Sequence, residues 1–189
     1  DEPLPLLLER AKLIGQVEGE EAGLNTLAAL AQDHPDEAAV LTELSKALIQ
    51  AGDYQQAINA ATHALRMNDG KLPPWEKVEL QHQIGVLLRQ SGQLDQAIQY
   101  LDEAIQRAPG LLDAYLEIAE AYRQRRQHHI GLEYLKQAIV MAPNDPRPYR
   151  EAGVLLKESR DYAAAENMLR RAARLAPKDI DIQRKLGPV

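Results

Sequence analysis

The sequence predicts an all-α protein, a solenoid of about five stacked helix–turn–helix units followed by the opening of a sixth. Three observations lead there. The phrase LDEAIQRAPG at 101–110 returns as LKQAIVMAPN at 135–144 and as LRRAARLAPK at 169–178, each copy 34 residues after the last. A fixed interval of 20–50 residues marks a solenoid, in which each unit buries its apolar face only against its neighbours. Within one interval, Tyr115, Ile118, Ala119 and Tyr122 follow the i, i+3, i+4, i+7 spacing of a helix face. After the polar break RQRRQ, residues Gly131, Leu135, Ala138, Ile139 and Ala142 form a second stripe. Composition agrees. Aromatics are 4% with no Phe, so the core is built from Leu, Ile, Val and Ala, and Leu and Ala are strong helix formers.

In chain order, residues 4–37 read as a degenerate helix pair, LPLLLERAKLIGQ and then EEAGLNTLAALAQDHP, closing at Pro35. Terminal units of a solenoid are commonly atypical because one face meets solvent. The next unit, 38–71, carries Leu41, Leu44, Ser45 and Leu48, then Ala57 and Ala61, with Asp69 where later units have proline. Ala57 and Ala97 stand 40 apart rather than 34. The six extra residues, assigned to 72–77, follow the turn signal Asn68-Asp69-Gly70, and Pro73-Pro74 suits a helix start. We therefore expect a longer loop and an N-terminally extended helix carrying Trp75, the sole tryptophan. Units at 78–111, 112–145 and 146–179 follow in register. Each ends at proline (Pro109, Pro143, Pro177), which cannot donate the next helical hydrogen bond. Residues 180–189 then place Leu186-Gly187 where a further unit would put its Leu-Gly, so a single solenoid domain over 1–189 reads as a fragment of a longer protein, or one lacking its usual capping helix.

Small residues recur where helix axes would approach closely: Gly85, Ala97 and Ala104 in one unit, Gly153, Ala165 and Ala172 in another. Overpacking such an interface costs roughly 1–3 kcal/mol, so Ala138→Leu is expected to harm the fold far more than Ala163→Leu.

The pattern Trp-x2-Leu-Gly-x2-Tyr, then Ala-x3-Phe, then Pro is approached by Tyr115-x2-Ile118-Ala119-x2-Tyr122, Gly131-x3-Leu135 and Pro143. One unit on, the chain reads Tyr149-x2-Ala152-Gly153-x2-Leu156, Ala165-x3-Leu169 and Pro177; one unit back, Gln81-x2-Ile84-Gly85-x2-Leu88, Ala97-x3-Leu101 and Pro109. On these residues the chain resembles the tetratricopeptide repeat family, clearly from 38 to 179 and loosely before. The resemblance implies a right-handed α-solenoid whose concave groove, lined by the first helix of each unit, binds an extended peptide or a partner's helix. Carried over position by position, the groove residues are Lys46, His82, Arg89, Asp113, Glu117, Glu120, Arg123, Arg147 and Arg150. One family mode clamps a peptide's C-terminal carboxylate with lysines, asparagines and an arginine. Here Thr42, Lys46 and Gln83 stand where that mode wants Lys, Asn and Asn, so the clamp is not expected.

What remains is an acidic patch at Asp113, Glu117 and Glu120 beside a basic pair at Arg147 and Arg150. These charges either recognise a partner or form intramolecular salt bridges on a solvated face. Trp75 likewise either covers the loosened joint or stands exposed as a binding anchor.

Other chemistries find no foothold. The chain has no cysteine, which excludes disulfides and thiolate metal sites and suits a cytoplasmic setting. Its net charge is −6, and the basic excess of residues 71–189, 18 against 16, is too slight for a nucleic-acid surface. No apolar run approaches the ~18 residues of a membrane span. RQRRQHH at 123–129 reads as a polar inter-helix turn rather than a metal or phosphate site. No phosphate loop, His-Glu-x2-His or Gly-x-Ser-x-Gly is present. We expect no enzyme, cofactor or metal, but a protein-interaction scaffold within a larger, bacterial-type protein. An end-to-end assembly element making homo-oligomers through residues near 162–186 is the second reading. A docking domain of a larger enzyme is the third.

Overall fold

The computed structural model describes residues 2–67 and 72–186, and among them lie eleven α-helices and no strand. This is the all-α, helical-hairpin class that the 34-residue interval predicts. The chain divides into two compact units, Asp1–Leu87 and Leu88–Val189. The first holds α1 (Leu4–Glu18), α2 (Glu20–Asp33), α3 (Ala38–Gln50), α4 (Tyr54–Arg66) and most of α5 (Pro74–Gln90). The second holds α6 (Leu94–Arg107), α7 (Leu112–Gln124), α8 (His128–Met141), α9 (Pro146–Glu158), α10 (Tyr162–Leu175) and α11 (Ile180–Leu186). The expected turn at Asn68-Asp69-Gly70 lies outside the described residues, as does Gly187.

One turn chemistry closes four of the hairpins. The amides of Asp53, Gln93, Gln127 and Asp161 each donate to the carbonyl five residues back, at 2.8–2.9 Å. The residue before each of them is left-handed: Gly52 and Gly92 at φ 79° and 80°, Arg126 and Arg160 at φ 58° and 65°. This helix-ending motif satisfies carbonyls the helix leaves unpaired, and it needs positive φ. Glycine adopts that geometry freely, whereas a side chain costs about 1 kcal/mol. A Cβ on Gly92 would meet nothing within 4 Å, so its cost is conformational only. Gly92→Ala is therefore expected to lose about 1 kcal/mol more in urea unfolding than Arg160→Ala, whose backbone already carries that strain. Asp53 and Asp161 add side-chain caps, accepting from the amides of Gln56 and Ala164 at 3.1 Å. Because the Arg126 turn is this tight, α8 begins at His128, and the two histidines sit in its first turn rather than in the connection.

In the second unit, fully buried Leu101, Ala114 and Ile118 form one core cluster, and Ala119, Leu135, Ala152 and Leu155 another. Tyr134 stacks on Tyr122 with ring centroids 5.8 Å apart, and its hydroxyl donates to Asp102 at 3.0 Å. The Tyr115 and Tyr149 hydroxyls donate to the carbonyls of Pro109 and Pro143 at 3.2 and 3.1 Å, one device repeated at the 34-residue interval. In the first unit, buried Ser45 donates to the Ala57 carbonyl at 2.9 Å and ties α3 to α4. There α1 and α2 are separated by Gly19 alone, and α1 buries little besides Ala11. The later start of the next unit is absorbed by α5, whose 17 residues exceed the 13 of α3, α7 and α9.

Candidate functional site

In the second unit the predicted groove charges are interlocked rather than segregated. Arg147 reaches back one interval to Asp113 at 2.6 Å and also pairs with Asp145 at 2.8 Å. Arg89, at the end of α5, donates to Glu117 of α7 at 2.5 Å, with side chains only 15% and 26% exposed. Arg123 grips Glu120 through two bonds of 2.6 Å and reaches Glu158 of α9 at 2.7 Å. Arg150 turns to its neighbour Glu151 at 2.8 Å. The acidic patch and Arg147 thus belong to a ladder of ion pairs running from the end of α5 through α7 to α9, while Arg150 pairs within α9. Two predicted groove residues belong to the first unit. Lys46 pairs with Glu43 at 3.1 Å, and His82 is half-buried with no hydrogen-bond partner for Nε2.

The ladder has an electrostatic signature at Glu120. Burial pushes its carboxyl up, but hydrogen bonds from Arg123 and Gln124 outweigh that and hold its pKa below the ordinary 4.5. A group with a depressed folded pKa adds stability above its unfolded value and loses it as pH falls through the folded one. Arg123→Met should therefore cost about 1–2 kcal/mol at pH 7, and the gap from the parent chain should narrow towards pH 3. Urea unfolding at both pH values checks this.

Trp75 does not cover the joint. It is 64% exposed in the first turn of α5, while Leu72 and Leu80 take the buried places beside it. Position rather than side-chain size decides burial here, with Leu72 just before the helix and Leu80 within it, so the largest apolar group is left outside. His128 is engaged with the Ser159 hydroxyl at 3.0 Å and with Glu158 at 3.4 Å. His128 and His129 gain no third ligand, since no three His, Cys, Asp or Glu converge among the described residues. Arg125 pairs with Asp95 and lies over the Tyr122 ring, and Arg171 over Tyr149. Among the described residues no helix is long and apolar enough to cross a membrane. Sequence reasoning missed Asp145 and Glu158, which hold Arg147 and Arg123 in place. Asp145 was readable as the residue before Pro146 at a helix start; Glu158 carried no signal of its own.

Comparison with known proteins follows the same residues. Family models described as tetratricopeptide repeat match residues 21–73, 82–146 and 149–179. A TPR repeat-containing protein of Synechococcus elongatus is 32% identical over 98 residues, which is 50% of this chain and 24% of that protein. This chain thus spans about a quarter of the length of that relative. Among solved structures, MamA from Desulfovibrio magneticus RS-1 aligns with a TM-score of 0.81 at 19% identity, covering 93% of this chain and 96% of that one. YrrB, described as a TPR protein with an unusual peptide-binding site, aligns at 0.80 and 17% identity, covering 97% and 91%. At such identities the likeness is one of fold.

Proposed function

This chain belongs to the tetratricopeptide repeat family, and from that premise we propose that it is a protein-interaction scaffold binding a partner peptide or helix along the first helices of its units. The observation that carries the reading is the ion-pair ladder on α7 and α9. Arg89, Glu117, Glu120 and Arg123 are partly buried and hydrogen-bonded to one another across or along the helices, so they present oriented polar groups at a reduced ordering cost on binding. Arginine in particular keeps spare N–H donors when one of its five is used, as at Arg89 and Arg150. YrrB, which shares the fold, is described as having a peptide-binding site. Catalysis is not part of the reading; docking within a larger enzyme would use the same surface.

The test is a peptide selected from a displayed random library on the full chain, followed by amide chemical-shift mapping. Shifts confined to Arg89 and to α7 and α9 support the proposal. Shifts on α4, α8 and α10 would move the site to the second helices and sink it. A second reading, self-assembly near residues 162–186, draws on exposed Tyr162 and Ile180. It requires the light-scattering mass of the chain alone to rise with concentration, whereas the groove reading requires a constant mass.

A further inference from the structure

Building on that peptide-binding reading, we propose that the first unit holds an anchor pocket of its own, which seats one bulky apolar side chain of a basic peptide. A cavity of about 460 Å³ opens between α1, α2 and α3; Ala11, Gly15, Gly23, Leu24, Leu27 and Ala47 give it an apolar part, and polar and charged side chains line the rest. An apolar cavity of ~150 Å³ already accepts benzene, so a leucine, methionine or phenylalanine side chain fits with room for its backbone.

The cavity has a specific origin. Aligning ELSKALIQAGDY at 43–54 with EAGVLLKESRDY at 151–162 sets Ala47 against Leu155, and the same interval sets Gly23 against Gly131. In the second unit the notch at Gly131 is filled: Leu155 is buried, with its Cδ2 2.7 Å from where a Gly131 Cβ would lie. In the first unit the Gly15 backbone of α1 closes over Gly23 instead, and the residue on α3 that corresponds to Leu155 is Ala47, so the space a leucine would take beside it stays open. Walls without partner atoms forfeit dispersion contacts, and an incoming side chain restores them.

Charge decides the flanks of the ligand. At the mouth, Lys12 and Lys46 approach the two oxygens of Glu43 at 3.3 and 3.1 Å, so one carboxylate occupies both ammoniums. Glu76 lies within the field of these groups and of Glu79, and its carboxyl is raised, chiefly by burial. Among the side chains that line the cavity, Glu20 and Glu43 balance Lys12 and Lys46, and the nearby Glu76, with Glu79 beside it, tips the local field negative. Across Asp1–Leu87 there are 14 acidic and 6 basic side chains, a net −8. Such a field draws cationic segments and repels acidic ones.

The probes are fluorescein-labelled nine-residue peptides with a central Leu, Phe or Ala, flanked either by Lys and Arg or by Asp and Glu. Affinity for the full chain is read by anisotropy. We expect basic peptides with Leu or Phe to bind at least roughly tenfold tighter than the Ala version. Ala47→Leu, which fills the space beside α3 that Leu155 takes in the second unit, should weaken them by about tenfold while thermal melts show the chain still folded. Gly15→Ala is the second variant. Its Cβ meets only the Gly23 Cα, at an ordinary 3.5 Å, so it narrows the cavity without a clash and should weaken binding by roughly threefold. Affinity unchanged in both variants overturns the pocket, as does preference for the acidic peptides. Peptides lost on Arg89→Ala but kept by Ala47→Leu overturn the pocket and leave the groove reading standing. No binding by any peptide at millimolar concentration overturns both.

Discussion

Ala138→Leu is expected to lower the stability of the chain by about 3 kcal/mol, while Ala163→Leu changes it by no more than ~0.5 kcal/mol. Ala138 lies on α8 with no exposed surface, and its counterparts at the same position of other units, Ala64, Ala104 and Ala172, are equally inaccessible. Four independent helices that all stop at one methyl group mark a place where a neighbouring helix has taken the remaining space. Interiors are packed as densely as organic crystals, so three added carbons have no void to enter and must move backbone. Ala163, by contrast, faces solvent in the first turn of α10. For a chain of this length the difference amounts to about 6–12 °C in melting temperature. Coincident melts would mean that the α8 position is elastic and that the recurring alanine reflects helix propensity alone.

That alanine column was legible in the sequence because a small residue at a fixed interval is a statement about distance, and distance is what the packing preserves. The prolines after α6, α8 and α10 were legible for a similar reason, since a missing N–H has one consequence in any context. Arg126 and Arg160 were not. By residue type they belong to a polar connection, and only their alignment with Gly52 and Gly92 exposes the left-handed turn they occupy. The ion pairs among the candidate groove charges were legible only in part. Asp113 and Arg147 stand 34 residues apart, which puts opposite charges at one position of adjacent units and makes their pairing readable in hindsight. The Arg123–Glu158 contact joins two different positions and leaves no such trace. Trp75 shows the limit from the other side: hydrophobicity names a preference, while position along the loop and helix decides which residue is granted it. The open space beside Ala47 escaped notice because alanine satisfies an apolar pattern as well as leucine does. A pattern records the kind of residue, not the volume it fails to fill.

Gly23→Ala is expected to open the α1–α2 hairpin at a cost of about 2–3 kcal/mol, whereas Gly15→Ala, its partner across the same crossing, should stabilise the chain by up to ~1 kcal/mol. The asymmetry lies in where each new methyl would point. A Cβ on Gly23 would lie 2.7 Å from the Gly15 Cα and 3.1 Å from its nitrogen, the first closer than non-bonded atoms tolerate, and both atoms are backbone, so no side chain can rotate away. On Gly15 the methyl stands 3.5 Å from the Gly23 Cα and meets nothing else within 4 Å. It keeps the gain that alanine has over glycine in a helix interior, because less backbone freedom is lost on folding. At Gly131 the same substitution meets the flexible end of Leu155 as well as a carbonyl, so part of the strain can be relieved there and the loss should be smaller than at Gly23. Location matters as much as size. In repeat proteins each unit is held by its own stability and its contacts with neighbours, and α1 has little buried beyond Ala11 to hold it once the crossing opens. Hydrogen exchange should therefore show protection lost over residues 4–33 in Gly23→Ala while α7 to α10 keep theirs. Uniform loss across the chain would mean that the hairpin is coupled to the rest more tightly than nearest-neighbour packing provides.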